Sequence, residues 1–195
     1  MSKIKLFSGM DFSGKTTIIN GINEKMPSKF SIKKKFLTPI DLIENVRKRD
    51  TWLSPEEWKP LLQENIQKDI KEYKENGLIL LDSLWIIKYL AGKIEKNDKQ
   101  DEEEIIILKE LLKKYPEMDS FYITVSMNER IKRFQARAKS GNEITGSDKL
   151  IMDTDKFERR EQIYKKIVLE YFPNTKTIDT TDIDLEQTIN VIIND

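Results

Sequence analysis

Short apolar runs alternate with long helical patterns along the chain. Ile4-Lys5-Leu6-Phe7-Ser8 runs into a glycine-containing turn, Lys35-Phe36-Leu37-Thr38 ends at Pro39, and Leu78-Ile79-Leu80-Leu81 ends at Asp82. Phe121-Tyr122-Ile123-Thr124-Val125 and Lys176-Thr177-Ile178-Asp179 carry the β-branched and aromatic content of strands. The segments between them are too long for hairpin turns and place Lys, Glu, Ile and Leu at helical spacing, as from Pro55 to Asn76. Ser54-Pro55-Glu56-Glu57 combines a capping hydroxyl, an N1 proline and first-turn acids, and Asn76-Gly77 supplies a stop before the third strand. Strand and helix in alternation predict an α/β fold: a five-stranded, mainly parallel sheet with helices on both faces. No repeat, linker or compositional break divides residues 1–195, so one domain is expected. The charged and amide-rich stretch from Lys96 to Glu104 reads as a solvated loop and helix start.

Composition narrows the chemistry. The 195 residues include 34 basic and 34 acidic side chains, no histidine and no cysteine. A Ser-His-Asp triad, a histidine base, a thiol nucleophile, a disulfide and a thiolate zinc site are therefore all excluded. Catalysis has to use carboxylates, Lys, Arg, hydroxyls, backbone amides or a borrowed metal ion. The zero net charge argues against a nucleic-acid binder held by bulk positive charge. No apolar run reaches the roughly 18–20 residues of a membrane helix, and Met-Ser-Lys-Ile-Lys-Leu-Phe lacks a signal peptide's long apolar region, so a cytoplasmic protein without membrane contact is expected.

The strongest motif follows the first strand. Gly9-Met10-Asp11-Phe12-Ser13-Gly14-Lys15-Thr16-Thr17 matches G-x-x-x-x-G-K-[ST] at every required position. Glycines let such a loop turn its amides inward onto phosphate oxygens, and the following helix adds its positive dipole end. Lys15 is placed to reach the β- and γ-phosphates and Thr16 to hold Mg²⁺. A second acid is expected at the end of a neighbouring buried strand, and Asp82 after Leu78-Ile79-Leu80-Leu81 fits that place.

The acid at the third position of the loop and the two threonines after the lysine resemble the thymidylate kinases, within the nucleoside monophosphate kinases. Other segments agree: Leu42-Ile43-Glu44-Asn45-Val46-Arg47, Gly77 through Asp82, Asn128-Glu129-Arg130-Ile131-Lys132-Arg133 with Arg137, Asp155 through Tyr164, and Ile178-Asp179-Thr180-Thr181. The resemblance implies a three-layer P-loop kinase fold with a lid at about 137–152, ATP and Mg²⁺ as cofactors, and a homodimer. It also implies roles. The loop from Gly9 to Thr17, with Arg133, would bind ATP; Thr16 and Asp82 would serve the metal. Asp11 would bond the acceptor's sugar hydroxyl or place the lid, and Arg47 would hold the acceptor phosphate, with Asp82 and Tyr89 also on the substrate side. Trp52, Trp58, Trp85 and Tyr89 are aromatics that could stack on a base or sit in the core.

The chain departs from the family on the acceptor side. Asp82 is followed by Ser83 where the family has Arg, Leu61-Leu62-Gln63-Glu64-Asn65 stands where its Arg-Gln pair faces thymine, and Thr38-Pro39 replaces Arg-Glu-Pro. The implied acceptor is therefore dTMP or a related or nonstandard nucleoside monophosphate. Phe12 occupies the place where some members carry a loop arginine, so a lid arginine is required. Arg130, Arg133 and Arg137 lie at i, i+3 and i+7, on one helix face before Ser140-Gly141-Asn142 and Gly146-Ser147. Arg137 is the first choice for catalysis, with Lys139 and Lys149 behind it; Lys15, Asp82 and Asp11 complete the expected catalytic set.

Two other classes compete. A deoxynucleoside or other small-molecule kinase would phosphorylate a hydroxyl with Asp82 as base, and Ser83 in place of Arg favours that reading. A GTPase-type switch would need Asn-Lys-x-Asp and an Asp-x-x-Gly after a strand, whereas Asp82 precedes Ser83-Leu84-Trp85 and Asn97 precedes Asp98.

Overall fold

The computed structural model describes residues 4–27, 29–33, 78–97, 102–141, 144 and 148–194, together with positions 60, 64, 67, 68 and 71. Among the described residues five strands, β1 (Ile4–Ser8), β2 (Phe30–Lys33), β3 (Leu78–Asp82), β4 (Asp119–Thr124) and β5 (Lys176–Asp179), form one sheet in the order β2-β3-β1-β4-β5. Every pairing is parallel. The helices with described bounds are, in chain order, α1 (Lys15–Lys25), α2 (Trp85–Lys96), α3 (Glu102–Leu112), α4 (Met127–Lys139), α5 (Thr154–Tyr171) and α6 (Leu185–Ile193), with a 3₁₀ turn at Asp148–Met152. Pro60, Glu64, Gln67, Lys68 and Lys71 are also helical and exposed, and Glu64 pairs with Lys68 at 2.6 Å on a solvent face within the expected Pro55–Asn76 helix.

Strands covered on both faces have to bury successive residues on opposite sides. Leu6, Ile79, Leu81 and Tyr122 join a core with residues of α2, α3 and α5, including Leu90, Leu108, Tyr164 and Val168. Phe7, Leu80, Phe121, Ile123 and Ile178 face the opposite way, against Ile18, Ile19 and Ile22 of α1 and Ile189 and Ile192 of α6. The result is the expected helix, sheet, helix arrangement of three layers.

The second strand corrects the sequence reading. β2 is Phe30–Lys33, upstream of the expected Lys35-Phe36-Leu37-Thr38, which lies outside the described residues. Among the described residues β2 is an edge strand, and the sequence Phe30-Ser31-Ile32-Lys33 alternates apolar with polar as an edge permits. That pattern is weaker than the denser apolar pair before Pro39. Within the charged stretch Glu104, in the first turn of α3, departs from the expectation: it is buried, accepting from the Tyr89 hydroxyl at 2.6 Å and pairing with Lys93 at 2.6 Å.

Candidate functional site

The central strand β1 ends against the loop that leads into α1. At Gly9 φ is 141°, and an added Cβ would stand 2.3 Å from the Ile123 carbonyl oxygen, so only glycine lets the chain turn off β1 so close to β4. Gly14, at φ 94°, is the N-cap of α1. Side chains cap α4 (Ser126), α5 (Asp153) and α6 (Asp184, in a capping box with Gln187), but none caps α1 or α2. Of these two, α1 is the one that follows the glycine-turned loop. Its first turn thus presents backbone amides and a positive dipole end, the arrangement that suits an anion. Phe12, also at positive φ (62°), completes the curl of the loop.

Lys15 is buried within that curl. Its ammonium donates to the Met10 carbonyl at 3.0 Å and lies 3.4 Å from Ser13 Oγ. The Met10 side chain is in the core and Ser13 is buried, whereas Thr16 and Thr17 are exposed. The Thr16 hydroxyl donates to Asp82 Oδ2 at 2.7 Å. Register explains this meeting: β3 pairs with β1 so that Asp82 stands opposite Phe7, two residues before the loop begins. Asp82 Oδ1 is buried and has no hydrogen-bond partner among the described residues. A hydroxyl oxygen beside a carboxylate oxygen with an unsatisfied lone pair is a hard-donor set, suited to Mg²⁺. No cluster of three acidic side chains that could hold a metal occurs among the described residues. The remaining ligands would have to come from phosphate and water, as Mg²⁺ commonly requires.

Three arginines of α4 reach the loop. Arg130 is fully buried and donates to the backbone carbonyls of Asp11 at 2.9 Å and Val125 at 3.2 Å, while pairing with Glu161 of α5 and lying 5.2 Å from the Phe157 ring. Burial lowers its pKa, and the Glu161 carboxylate opposes that shift. Such a side chain is a structural tie rather than a mobile phosphate ligand. Arg133 donates to the Phe12 carbonyl at 3.2 Å and to Glu129 at 3.2 Å. Arg137 lies 5.9 Å from the Phe12 ring and 3.7 Å from Asp148 Oδ1, with 44% of its side chain exposed. Lys139 and Lys149 are exposed.

The floor is aromatic. The buried Tyr164 phenol lies near Ser8 and Gly9; its pKa is raised chiefly by burial, with the Asp11 and Asp82 carboxylates adding to the effect. Tyr122 is raised in the same way by burial and by Glu161, to which its hydroxyl donates at 3.2 Å. On the β5 side, Thr180 donates its amide to Thr124 O at 2.9 Å, and Asp179 is held below its ordinary pKa by the Thr181 hydroxyl and amide.

The structure thus brings together Gly9 through Thr17, Asp82, Arg133 and Arg137. Tyr89 directs its hydroxyl to Glu104. Arg47, Leu61 through Gln63, Asn65, Trp52 and Trp58 lie outside the described residues, as does part of the expected lid. One residue was missed: Lys88 of α2 donates to Asp11 at 2.7 and 3.1 Å. Its position six residues after Asp82, on the helix leaving the same strand, was the available signal.

The fold is similar to that of thymidylate kinase from Candida albicans, a structure described as revealing the origin of broad substrate specificity. Identity is 19%, coverage 98% of this chain and 89% of that chain, and the TM-score 0.70. Deoxyadenosine kinase from M. mycoides with bound dATP matches at 20% identity, covering 98% and 97%, with a TM-score of 0.65. Thymidylate kinase from Ehrlichia chaffeensis matches at 15%, covering 97% of both chains, with a TM-score of 0.59. No family model and no curated protein matches the sequence. The chain has a thymidylate kinase-like nucleotide kinase fold over nearly its whole length.

Proposed function

We propose that the chain transfers a phosphoryl group from ATP to a nucleoside monophosphate, dTMP or a related nucleotide, giving the diphosphate. The observation that carries this reading is the contact of Thr16 with Asp82 at 2.7 Å beneath a glycine-turned loop that encloses Lys15. Phosphoryl transfer spreads charge over the transferred oxygens, so positioned cations and amides supply most of the catalysis. The α1 amides and Lys15 hold the donor phosphates, and Arg137 and Arg133 meet the developing charge from the α4 side. Thr16 and Asp82 would hold Mg²⁺, which neutralises donor phosphate charge. Asp11 accepts a hydrogen bond from the acceptor's sugar, and Arg47 holds its phosphate. A lid at about 137–152 closes over the donor and excludes water. A monophosphate is already an anion, so the absence of histidine costs the reaction nothing.

A deoxynucleoside kinase is the second reading. Ser83 in place of an arginine favours it, as does the likeness to a deoxyadenosine kinase. Asp82 would then remove the proton from the hydroxyl. The deciding experiment is a panel of nucleoside monophosphates and matching nucleosides with ATP and Mg²⁺, with the product identified. Transfer to a monophosphate supports the first reading; transfer to nucleosides alone supports the second.

A further inference from the structure

We infer that Lys88 is an acceptor-side cation in addition to Arg47: it grips the phosphate of the acceptor nucleotide and so selects a monophosphate over a nucleoside. This rests on the phosphoryl-transfer reading and adds to it a residue that neither the loop motif nor the family pattern supplies.

Topology divides the site into two sides. β1 lies between β3 and β4, so the helix that follows each neighbour approaches the loop from its own direction. From the β4 side, α4 brings Arg130, Arg133 and Arg137 onto the backbone and ring of Asp11 and Phe12. From the β3 side, α2 brings Lys88 onto the Asp11 carboxylate, at 3.1 and 2.7 Å to its two oxygens. In-line transfer places donor and acceptor on opposite sides of the travelling group, so an acceptor that is itself an anion needs a cation on its own side.

Position 83 cannot meet that need. Ser83 is uncharged, buried and held at φ 58° in a tight turn in which its amide donates to the Leu81 carbonyl at 3.0 Å. Lys88 begins on the adjoining helix and reaches the same neighbourhood by length. Its side chain is 34% exposed against 17% for Asp11, so the ammonium sits at the open rim of the pair. An ammonium has three donors, of which Asp11 engages two. The flexible stem lets the group turn to a phosphate while Asp11 accepts a sugar hydroxyl. One nucleotide can satisfy both partners, and a nucleoside only the carboxylate.

The test compares the full chain with Lys88→Gln and Lys88→Arg. Acceptor KM, ATP KM and kcat are measured with the monophosphate and its nucleoside, and monophosphate binding is followed by calorimetry at low and high salt. Lys88→Gln is expected to raise the monophosphate KM and Kd about tenfold or more and flatten their salt dependence, as loss of a charge-assisted contact requires. ATP KM should change less than about twofold and Lys88→Arg should retain most binding, because the cation is kept. Equal shifts in acceptor and ATP KM, with a lowered melting temperature, would show a structural role and overturn the assignment. Monophosphate turnover by the wild type with Lys88→Gln unaffected overturns Lys88 alone. Failure of the wild type to bind or phosphorylate any monophosphate overturns both Lys88 and the monophosphate reading.

Discussion

Arg130 and Asp11 join two ends of the site: the guanidinium on α4 holds the backbone carbonyl of the loop acid at 2.9 Å while its other face pairs with Glu161 on α5. Removing one partner of such a buried pair leaves an uncompensated charge and costs about 3–5 kcal/mol. Arg130→Met is therefore expected to lower unfolding stability by that amount in urea titration. Adding Glu161→Gln should recover part of the loss, since the stranded charge is removed with it.

Lys15 donates to oxygens of the loop it is enclosed by, so its ammonium already sits inside the loop that the proposed reading assigns to the donor phosphates. Lys15→Ala is expected to cut kcat by about a hundredfold or more, the usual cost of one preorganised donor, with circular dichroism unchanged. Unaltered turnover would sink the loop assignment.

Arg137 is held between the Phe12 ring and Asp148 with nearly half its side chain exposed, a placement that leaves it able to follow charge. Arg137→Ala should lower kcat far more than it weakens ATP binding, because an interaction made only in the transition state is lost. Equal losses in both measurements would assign it to ground-state binding instead. Arg133, bonded to the Phe12 carbonyl, is expected to show the more even pattern.

Asp82 keeps one buried oxygen without a partner among the described residues while the other holds Thr16. Asp82→Asn should raise the Mg²⁺ concentration for half-maximal activity by about 10–100-fold, as loss of an orienting carboxylate does elsewhere. Thr16→Val should shift it in the same direction. A magnesium requirement unchanged in both variants removes the metal role.

Burial raises the phenol pKa of Tyr122 and Tyr164 above the ordinary 10.0. The sign follows from linkage: the unfolded chain releases these protons first, so their contribution is fully present below about pH 10 and is lost as pH rises beyond it. Stability should therefore fall on the alkaline side, and tyrosinate absorbance should rise together with unfolding rather than before it. The Thr181 hydroxyl lowers the pKa of Asp179; its contribution is present above the ordinary value of 3.8 and is lost only as pH drops through the lowered one.

Elements whose physics is local were legible in the sequence. Gly9, Gly14, Lys15 and Thr16 form a spacing motif because one loop has to make all their contacts, and Leu78 through Asp82 reads as a buried strand because both of its faces are covered. The arginine face of α4 followed from i, i+3 and i+7 spacing on a helix that the family resemblance implied, and all three side chains do meet the loop. What periodicity could not separate is their different fates. Arg130 is buried by Glu161, thirty-one residues along the chain, and no local pattern encodes that encounter. Lys88 escaped for the same reason, since its partner Asp11 is seventy-seven residues away. Glu104 looked solvated within a charged run because its partners, Lys93 and Tyr89, belong to the preceding helix.

The placement of β1 between β3 and β4 has a consequence for how such a protein can diversify. In the proposed reading, the cations that meet the donor descend from one flanking strand, and the grip on the acceptor descends from the other. Changes confined to the segment from Leu78 to Lys96 can therefore alter which molecule is recognised while leaving the β4 half intact. In the reading proposed for this chain, Ser83 and Lys88 are one such exchange: charge withdrawn from the strand end and restored on the neighbouring helix.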